Sequence, residues 1–152
     1  MAQIRKMDCQ VEIKSSAEQF FDAFKNNIHL MPKLANQVIQ DVQLVQGDWQ
    51  SVGCVRFWTF TVGEGKTETA TEQWEAVDDE SRMITFKLVG GRLMNDYKSF
   101  KSFLKVAPKG EGSLATWTIE YEKQNDNNPE PVAYSDFYAT WIKNVDANLS
   151  KA

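Results

Sequence analysis

The stretch from Leu44 to Thr69, "LVQGDWQSVGCVRFWTFTVGEGKTET", carries two glycine-containing segments that either cradle a phosphate or turn the chain. The second segment, Gly63 to Thr67, ends like a P-loop, but that motif requires a glycine where this chain has Phe60. A P-loop also leads into a helix, whereas the residues from Thr69 to Trp74 have high β-propensity. We therefore predict that Gly63 to Thr67 is a hairpin turn, which argues against a P-loop nucleotide enzyme.

The composition is that of one ordinary soluble domain. The chain has 152 residues, of which 42% are hydrophobic and 25% charged, so a single domain over residues 1–152 is expected. The net charge is −4 and there is no basic block, which argues against a nucleic-acid partner. No apolar run reaches the ~20 residues of a membrane span, and the N-terminus does not resemble a signal peptide. A cytoplasmic location without a membrane partner is the expectation.

The number and spacing of the cysteines and the histidine argue against a metal site. Cys9 and Cys54 lie far apart without a CxxC partner, and His29 is the chain's one histidine. A zinc site normally needs four such ligands. We therefore expect free thiols, no metal and no cofactor.

The N-terminal segment alternates and then turns helical. From Arg5 to Ile13 every second residue is apolar from Met7 onward, which predicts a half-buried strand. Ser15 or Ser16 is placed to cap the helix that follows. Its apolar face consists of Phe20, Phe21, Phe24 and then Ile28. A second short helix is predicted around Met31 to Ala35, with Pro32 at its start.

Six further strands and a long helix complete the pattern. The strands are predicted over 38–46, 54–62, 67–77, 83–89, 97–107 and 114–123. Their connections are short, with turn residues such as Gly47-Asp48 and Gly90-Gly91, so neighbours should pair antiparallel. The final helix, about 30 Å long, has an apolar stripe of Tyr134, Phe137, Tyr138, Trp141, Ile142, Val145 and Leu149. This pattern predicts an α+β fold in which a seven-stranded curved antiparallel sheet packs around the C-terminal helix. Periodicity does not determine whether the space between them is filled or hollow.

The chain resembles the major latex protein branch of the birch-pollen-allergen and pathogenesis-related class-ten proteins of plants. The resemblance covers nearly the whole chain and rests on these stretches: "NIHLMPKLA" (27–35), "LVQGDWQSVGCVRFW" (44–58), "EQWEAVDDESRMITFKLVGG" (72–91), "NDYKSFKSFLKVAPKGEGSLATWTIEYEK" (95–123) and "NPEPVAYSDFYATWI" (128–142). It implies a helix-grip fold with a large, largely apolar internal cavity. It also implies reversible binding of sterols, flavonoids, hormones, fatty acids, terpenoids or alkaloids in a plant defence or specialised-metabolism context.

Two loops depart from the family pattern. Gly90-Gly91 stands where members often have an acidic residue and one glycine, which leaves the mobility of this loop open. The loop from Gly47 to Gly53 is less glycine-rich than in the allergen branch, because Gln50, Ser51 and Val52 intervene. We predict that it turns two strands and borders the cavity rather than binding phosphate.

Alternation assigns an inward-facing set to the strands and helices. Beyond the ligand candidates below, this set holds Met7, Cys9, Val11, Ile13, Cys54, Val62, Ala70, Val106, Ala115 and Val145. An apolar wall with a few placed polar groups is typical of ligand pockets, and equally of a core. The predicted ligand-binding residues are Phe24, Ile28, Arg56, Trp58, Phe60, Glu72, Trp74, Ile84, Phe86, Leu88, Phe100, Ser102, Leu104, Trp117, Ile119, Tyr121, Tyr134, Tyr138 and Trp141.

Arg56 and Glu72 are charged residues at inward positions of adjacent strands. A buried unpaired charge is costly, so the two should pair or face a ligand. They form either a polar anchor for a ligand or a salt bridge at the rim, or a bulge turns one of them outward. The hydroxyls of Tyr121 and Tyr138 either donate to a ligand or reach water. Cys54 is interpreted as a quiet buried thiol.

Three functions follow from these features. The first is a carrier for a small hydrophobic ligand, acting as a monomer or weak homodimer. The alternative is a cyclase- or isomerase-like catalyst of terpenoid or alkaloid intermediates, with Glu72, Tyr121 or His29 as candidate acid–base residues. Arg56 would then stabilise negative charge. A ligand-gated docking surface is the third, but its gate and latch motifs are not visible.

Overall fold

The computed structural model describes residues 3–150, which form seven strands and three α-helices. The strands are Arg5–Ile13 (β1), Ile39–Gln46 (β2), Val55–Val62 (β3), Lys66–Asp78 (β4), Met83–Gly91 (β5), Tyr97–Lys109 (β6) and Gly112–Lys123 (β7). The helices are Ala17–Lys25 (α1), Met31–Leu34 (α2) and Val132–Leu149 (α3), with 3₁₀ turns at Ile28–Leu30 and Arg92–Asn95. The predicted helix-grip architecture is confirmed. No helix within residues 3–150 has the length and apolar character needed to cross a membrane.

All seven strands of this region belong to one antiparallel sheet. Their order is β1-β7-β6-β5-β4-β3-β2, so the first two strands of the chain lie at opposite edges. β1 pairs along its whole length with β7, from Arg5 opposite Tyr121 to Ile13 opposite Ser113. The turn at Gly63–Gly65 joins β3 to β4, with Val62 opposite Lys66, as predicted. α1 and α2 link the two sheet edges, and α3 covers the inner face.

The two serines that precede α1 cap this helix and connect α3 to the sheet. Ser16 is the cap, since its side chain accepts a hydrogen bond from the Gln19 backbone N–H at 3.1 Å. The neighbouring Ser15 is buried instead, and its hydroxyl donates to Asp146 of α3 at 2.6 Å. The Ser113 hydroxyl of β7 donates to the Ser15 carbonyl, also at 2.6 Å. The segment between β1 and α1 is therefore joined by hydrogen bonds to both α3 and β7.

The prediction of a turn at Gly90-Gly91 is wrong. β5 continues through both glycines, which pair with Thr71 and Ala70 of β4. A side chain at Gly91 would lie closer than 3.0 Å to the Thr69 carbonyl oxygen, and Gly91 has a φ of 118°. The glycines permit close strand pairing, and the 3₁₀ turn Arg92–Asn95 reverses the chain.

The inward-facing set predicted by alternation is confirmed for the sheet. β3 alternates without interruption, with Arg56, Trp58, Phe60 and Val62 buried. β7 buries Ala115, Trp117, Ile119 and Tyr121 in the same way. The core therefore lies between the concave face of the sheet and α3.

Candidate functional site

Aromatic side chains fill one part of the concave space. The Trp117 ring lies at the centre of this packing and stacks on Tyr138 at 4.2 Å between centroids. Trp141 lies 5.0 Å from Trp117, and Phe24 and Phe86 lie 5.6 and 5.8 Å away. This part of the interior is a packed core rather than a pocket.

A cavity remains beside the aromatic packing, under the N-terminal half of α3. Its volume is about 40 Å³, which is room for about three water molecules. It is lined by Ile39, Trp58, Phe60, Ala70, Glu72, Phe86, Leu88, Leu93, Phe100, Ser102, Tyr134, Phe137, Tyr138 and Trp141. Between residues 3 and 150 the interior therefore does not contain the large cavity that the resemblance implies, because aromatic side chains occupy much of the concave face. The cavity is well below the roughly 300–1,000 Å³ of pockets that enclose drug-sized ligands.

The predicted ligand-binding residues divide between the cavity wall and the packed core. Those at the wall are Trp58, Phe60, Glu72, Phe86, Leu88, Phe100, Ser102, Tyr134, Tyr138 and Trp141. Those that are buried away from the wall are Phe24, Ile28, Arg56, Trp74, Ile84, Leu104, Trp117, Ile119 and Tyr121. The wall also contains Ile39, Ala70, Leu93 and Phe137, which the candidate list omits. Ala70 and Phe137 had the right periodicity, whereas Leu93 lies in a 3₁₀ turn that no strand or helix pattern identifies.

Arg56 and Glu72 form a buried ion pair across β3 and β4. They are directly opposite in register, and Arg56 Nη2 donates to Glu72 Oε1 at 2.9 Å. The Arg56 side chain is 0% exposed, so the interpretation as a rim salt bridge is wrong. Its guanidinium carbon lies 5.5 to 5.8 Å from the ring centroids of Trp74, Trp58 and Phe86, within cation–π range.

Glu72 presents a carboxylate oxygen to the cavity. Its Oε1 accepts hydrogen bonds from Arg56 and, at 3.3 Å, from the Trp58 indole N–H. No donor among the described residues bonds to Oε2, and 16% of the side chain is exposed. Burial raises the pKa of Glu72, and the adjacent Arg56 charge opposes this rise. The carboxylate is thus an anchored polar group in an otherwise mostly apolar wall.

Tyr138 and Ser102 are hydroxyl-bearing residues of the same wall. Burial raises the pKa of the Tyr138 hydroxyl, and the Glu72 charge adds to the rise. Tyr138 is therefore protonated at neutral pH and able to donate a hydrogen bond. Together the three residues provide hydrogen-bond acceptors and donors at the cavity wall.

Tyr134 separates the cavity from a groove on the surface. Its ring lines both the cavity and the groove formed by Lys66, Glu68 and Arg92 among others. Its hydroxyl donates to Glu68 Oε2 at 2.8 Å, and Arg92 Nε donates to Glu68 Oε1 at 3.2 Å. Tyr134 is therefore shared by the cavity wall and the surface groove.

Two of the three candidate acid–base residues lie away from the cavity. His29 is exposed, and its ring lies 5.8 Å from that of Trp49. The Tyr121 hydroxyl donates to Glu130, outside the cavity wall. Of the three, Glu72 alone is at the wall. Cys54 is buried with a raised pKa, caused mainly by burial, which keeps the thiol protonated.

The loop from Gly47 to Gly53 does not border the cavity, contrary to our expectation. None of its residues is at the wall. It turns β2 into β3, with Gly47 and Gly53 at φ values of 82° and 96°, and Gly53 N–H donates to the Trp74 carbonyl at 2.7 Å. Within residues 3–150 there is also no group of three or more potential metal-ligating side chains.

The raised pKa values of the tyrosines lead to a prediction for the stability of the protein at alkaline pH. Burial is the main cause of a raised pKa at Tyr97, Tyr121, Tyr134 and Tyr138, with values of about 12 for the first two. Their ordinary value is about 10. Between these values the unfolded chain loses protons that the folded chain keeps, so the free energy of unfolding should fall as pH rises above about 10.

A spectroscopic titration checks this prediction. Tyrosinate absorbance should stay low in the folded protein near pH 10 and increase together with the loss of circular dichroism at higher pH. The same titration in concentrated guanidinium should show an ordinary transition near pH 10. A tyrosine that ionises near pH 10 with the native spectrum intact would contradict the burial assigned to it.

The sequence is similar to one protein family and to individual plant proteins. Residues 2–152 match the model of the Pathogenesis-related protein Bet v 1 family. MLP-like protein 43 of Arabidopsis thaliana is 39% identical over 96% of this chain and 93% of its own length. MLP-like protein 31 of the same plant is 38% identical over 95% and 85%.

Solved structures show the same fold. The crystal structure of ginseng major latex-like protein 151 from Panax ginseng has a TM-score of 0.90 at 34% identity, over 95% of this chain and 96% of that one. Norcoclaurine synthase from Thalictrum flavum superimposes with a TM-score of 0.82 at 19% identity, over 99% and 89%. At 19% identity this similarity shows a shared fold and nothing further.

Proposed function

Because the chain belongs to the Bet v 1 family, together with its major latex protein relatives, we propose that it binds and carries a small hydrophobic or amphipathic molecule in the cavity under α3. Proteins of this family commonly bind small hydrophobic ligands. Sterols, flavonoids, hormones, terpenoids and alkaloids are the classes proposed, in a plant defence or specialised-metabolism context. A cytoplasmic location and a monomeric or weakly dimeric state are parts of the same proposal.

The observation that carries the proposal is the composition of the cavity wall. Aromatic and aliphatic side chains form most of it, and the polar groups of Glu72, Ser102 and Tyr138 are placed among them. Ligand pockets have this composition, because apolar contact gives affinity and a few polar groups give orientation. Burying apolar ligand surface contributes roughly 25 cal/mol per Å².

The small volume requires that a ligand enlarge the cavity as it enters. Tyr134 and Leu93 are placed to move, since Tyr134 borders the surface groove and Leu93 lies in a short 3₁₀ turn. Breaking the hydrogen bond between Tyr134 and Glu68 costs free energy, which the ligand contacts must offset. The affinity for a ligand therefore depends on this rearrangement as well as on contact area.

A cavity-filling substitution tests the proposal. Ala70 is buried at the wall, so Ala70→Leu should occupy the cavity and weaken the binding of a neutral apolar dye such as Nile red by about ten-fold or more. The matched control is Ala147→Leu, which adds the same side chain at an exposed position of α3.

Fluorescence titration of the dye into each variant gives the dissociation constants, and circular dichroism verifies folding. The control should bind like the wild type. Equal weakening in both variants, or no binding by the wild-type protein, would contradict the proposal.

A further inference from the structure

We infer that the cavity selects amphipathic ligands whose polar end donates a hydrogen bond, such as an alcohol, phenol or ammonium group, over ligands that end in a carboxylate. This inference rests on the proposed function, since it concerns the same cavity.

The negative member of the pair faces the cavity and the positive member lies behind it. Glu72 is the one charged side chain among the described wall residues. Arg56 is fully buried and is not at the wall. The rings of Trp58, Trp74 and Phe86 surround its guanidinium group. A ligand in the cavity therefore approaches the carboxylate and is screened from the guanidinium.

The hydrogen bonds of Glu72 leave one acceptor for a ligand. Arg56 and Trp58 both donate to Oε1, while no described residue donates to Oε2. An ionised carboxylate only accepts hydrogen bonds. A hydroxyl or ammonium group that reaches Oε2 would satisfy it with a charge-assisted bond. A second carboxylate there would be repelled in a medium of low dielectric constant.

The other polar groups do not reverse this preference. The hydroxyls of Ser102 and Tyr138 both donate and accept, so they tolerate either kind of ligand. The remaining Arg56 donors, Nε and Nη1, are buried without a hydrogen-bond partner among the described residues, and they would attract a carboxylate if it reached them. Their enclosure by aromatic rings keeps them away from the wall. The discrimination is therefore assigned to Glu72.

A matched ligand series tests the inference. Decanol, decylamine, methyl decanoate and decanoate have similar chain lengths and differ mainly in the polar end. Displacement of Nile red gives the apparent affinity of each for the wild-type protein. Decanol and decylamine should bind at least about ten-fold more tightly than decanoate, as expected for a hydrogen bond to a charged group. Methyl decanoate, which has no donor, should also bind more weakly than decanol.

The variant Glu72→Gln identifies the residue responsible. The amide keeps an acceptor for Arg56 and Trp58 but adds a donor, so the gap between decanol and decanoate should fall to about three-fold or less. Glu120→Gln makes the same change on β7 outside the cavity wall, so it is the control and should leave the gap unchanged. If Glu72→Gln fails to fold, the comparison of decanol with methyl decanoate in the wild type still tests whether a hydrogen-bond donor on the ligand increases its affinity.

The outcomes separate the two proposals. Equal binding of decanol, methyl decanoate and decanoate, or a gap that persists in a folded Glu72→Gln, would overturn the inference and leave the carrier function standing. If neither Nile red nor any member of the series binds, the proposed function falls and the inference with it.

Discussion

Replacing Arg56 by methionine is expected to lower the free energy of unfolding by about 3–5 kcal/mol, the usual cost of removing one partner of a buried ion pair. Methionine retains an unbranched apolar chain among Trp58, Trp74 and Phe86, so the loss comes mainly from the charge. Glu72 would remain buried on β4 without its counter-ion. Urea unfolding followed by circular dichroism measures the change.

The double variant Arg56→Met, Glu72→Leu is the control for this prediction. It removes both charges, and apolar replacement of a buried ion pair is often neutral or stabilising. We expect it to recover most of the stability lost by Arg56→Met. Loss of Arg56 should raise the pKa of Glu72 further, since Arg56 opposes the rise in the wild type, and the deficit of the single variant should shrink as pH falls and protonation removes the unpaired charge. A double variant less stable than the single one would show that packing, rather than charge, makes Arg56 necessary.

Replacing Gly112 by alanine is expected to destabilise the fold by about 3 kcal/mol or more, at or above the upper end of typical overpacking costs. An added Cβ would lie closer than 3.0 Å to the Ile13 carbonyl oxygen and 3.3 Å from Lys14 Cα. Both neighbours are backbone atoms, which cannot rotate away as a flexible side chain would. The clash falls where β7 begins beside the end of β1.

Gly110→Ala, two residues earlier, is the matched control. Gly110 has a φ of 60°, but a Cβ there would have no heavy atom within 4 Å. The expected cost is about 1–2 kcal/mol, from the left-handed backbone alone. Thermal unfolding of both variants gives the order. A Gly110→Ala protein less stable than Gly112→Ala would show that β1 and β7 separate easily at this end.

The fold was predictable because its signals are local and agree with one another. Alternation along β3 identified which residues face inward, and the turn at Gly63–Gly65 placed β3 beside β4. These two observations together predict that Arg56 and Glu72 lie near each other. The role of Gly90-Gly91 was missed, because the close contact that requires Gly91 comes from β4, about twenty residues away in sequence.

The site was less predictable than the fold, because alternation does not distinguish a cavity wall from a core. Trp58 and Trp117 occupy equivalent inward positions of their strands, yet Trp58 is at the wall and Trp117 lies within the aromatic packing. The difference depends on where α3 crosses the sheet and which rings meet there. Neither is encoded in a local pattern, so the size of the cavity required the three-dimensional arrangement.

The pairing of β1 with β7 has a consequence for how the chain folds during translation. The strands from β2 to β6 pair with their neighbours in sequence, so we expect them to form hairpins early, whereas β1 pairs with a strand that begins only at Gly112. The inner face of the sheet stays uncovered for longer still, until α3 has been synthesised. At roughly 5–20 residues per second, the nascent chain exposes its tryptophans and phenylalanines for several seconds. Slow synthesis of the last third of the chain should therefore make the folding of this protein more dependent on chaperones.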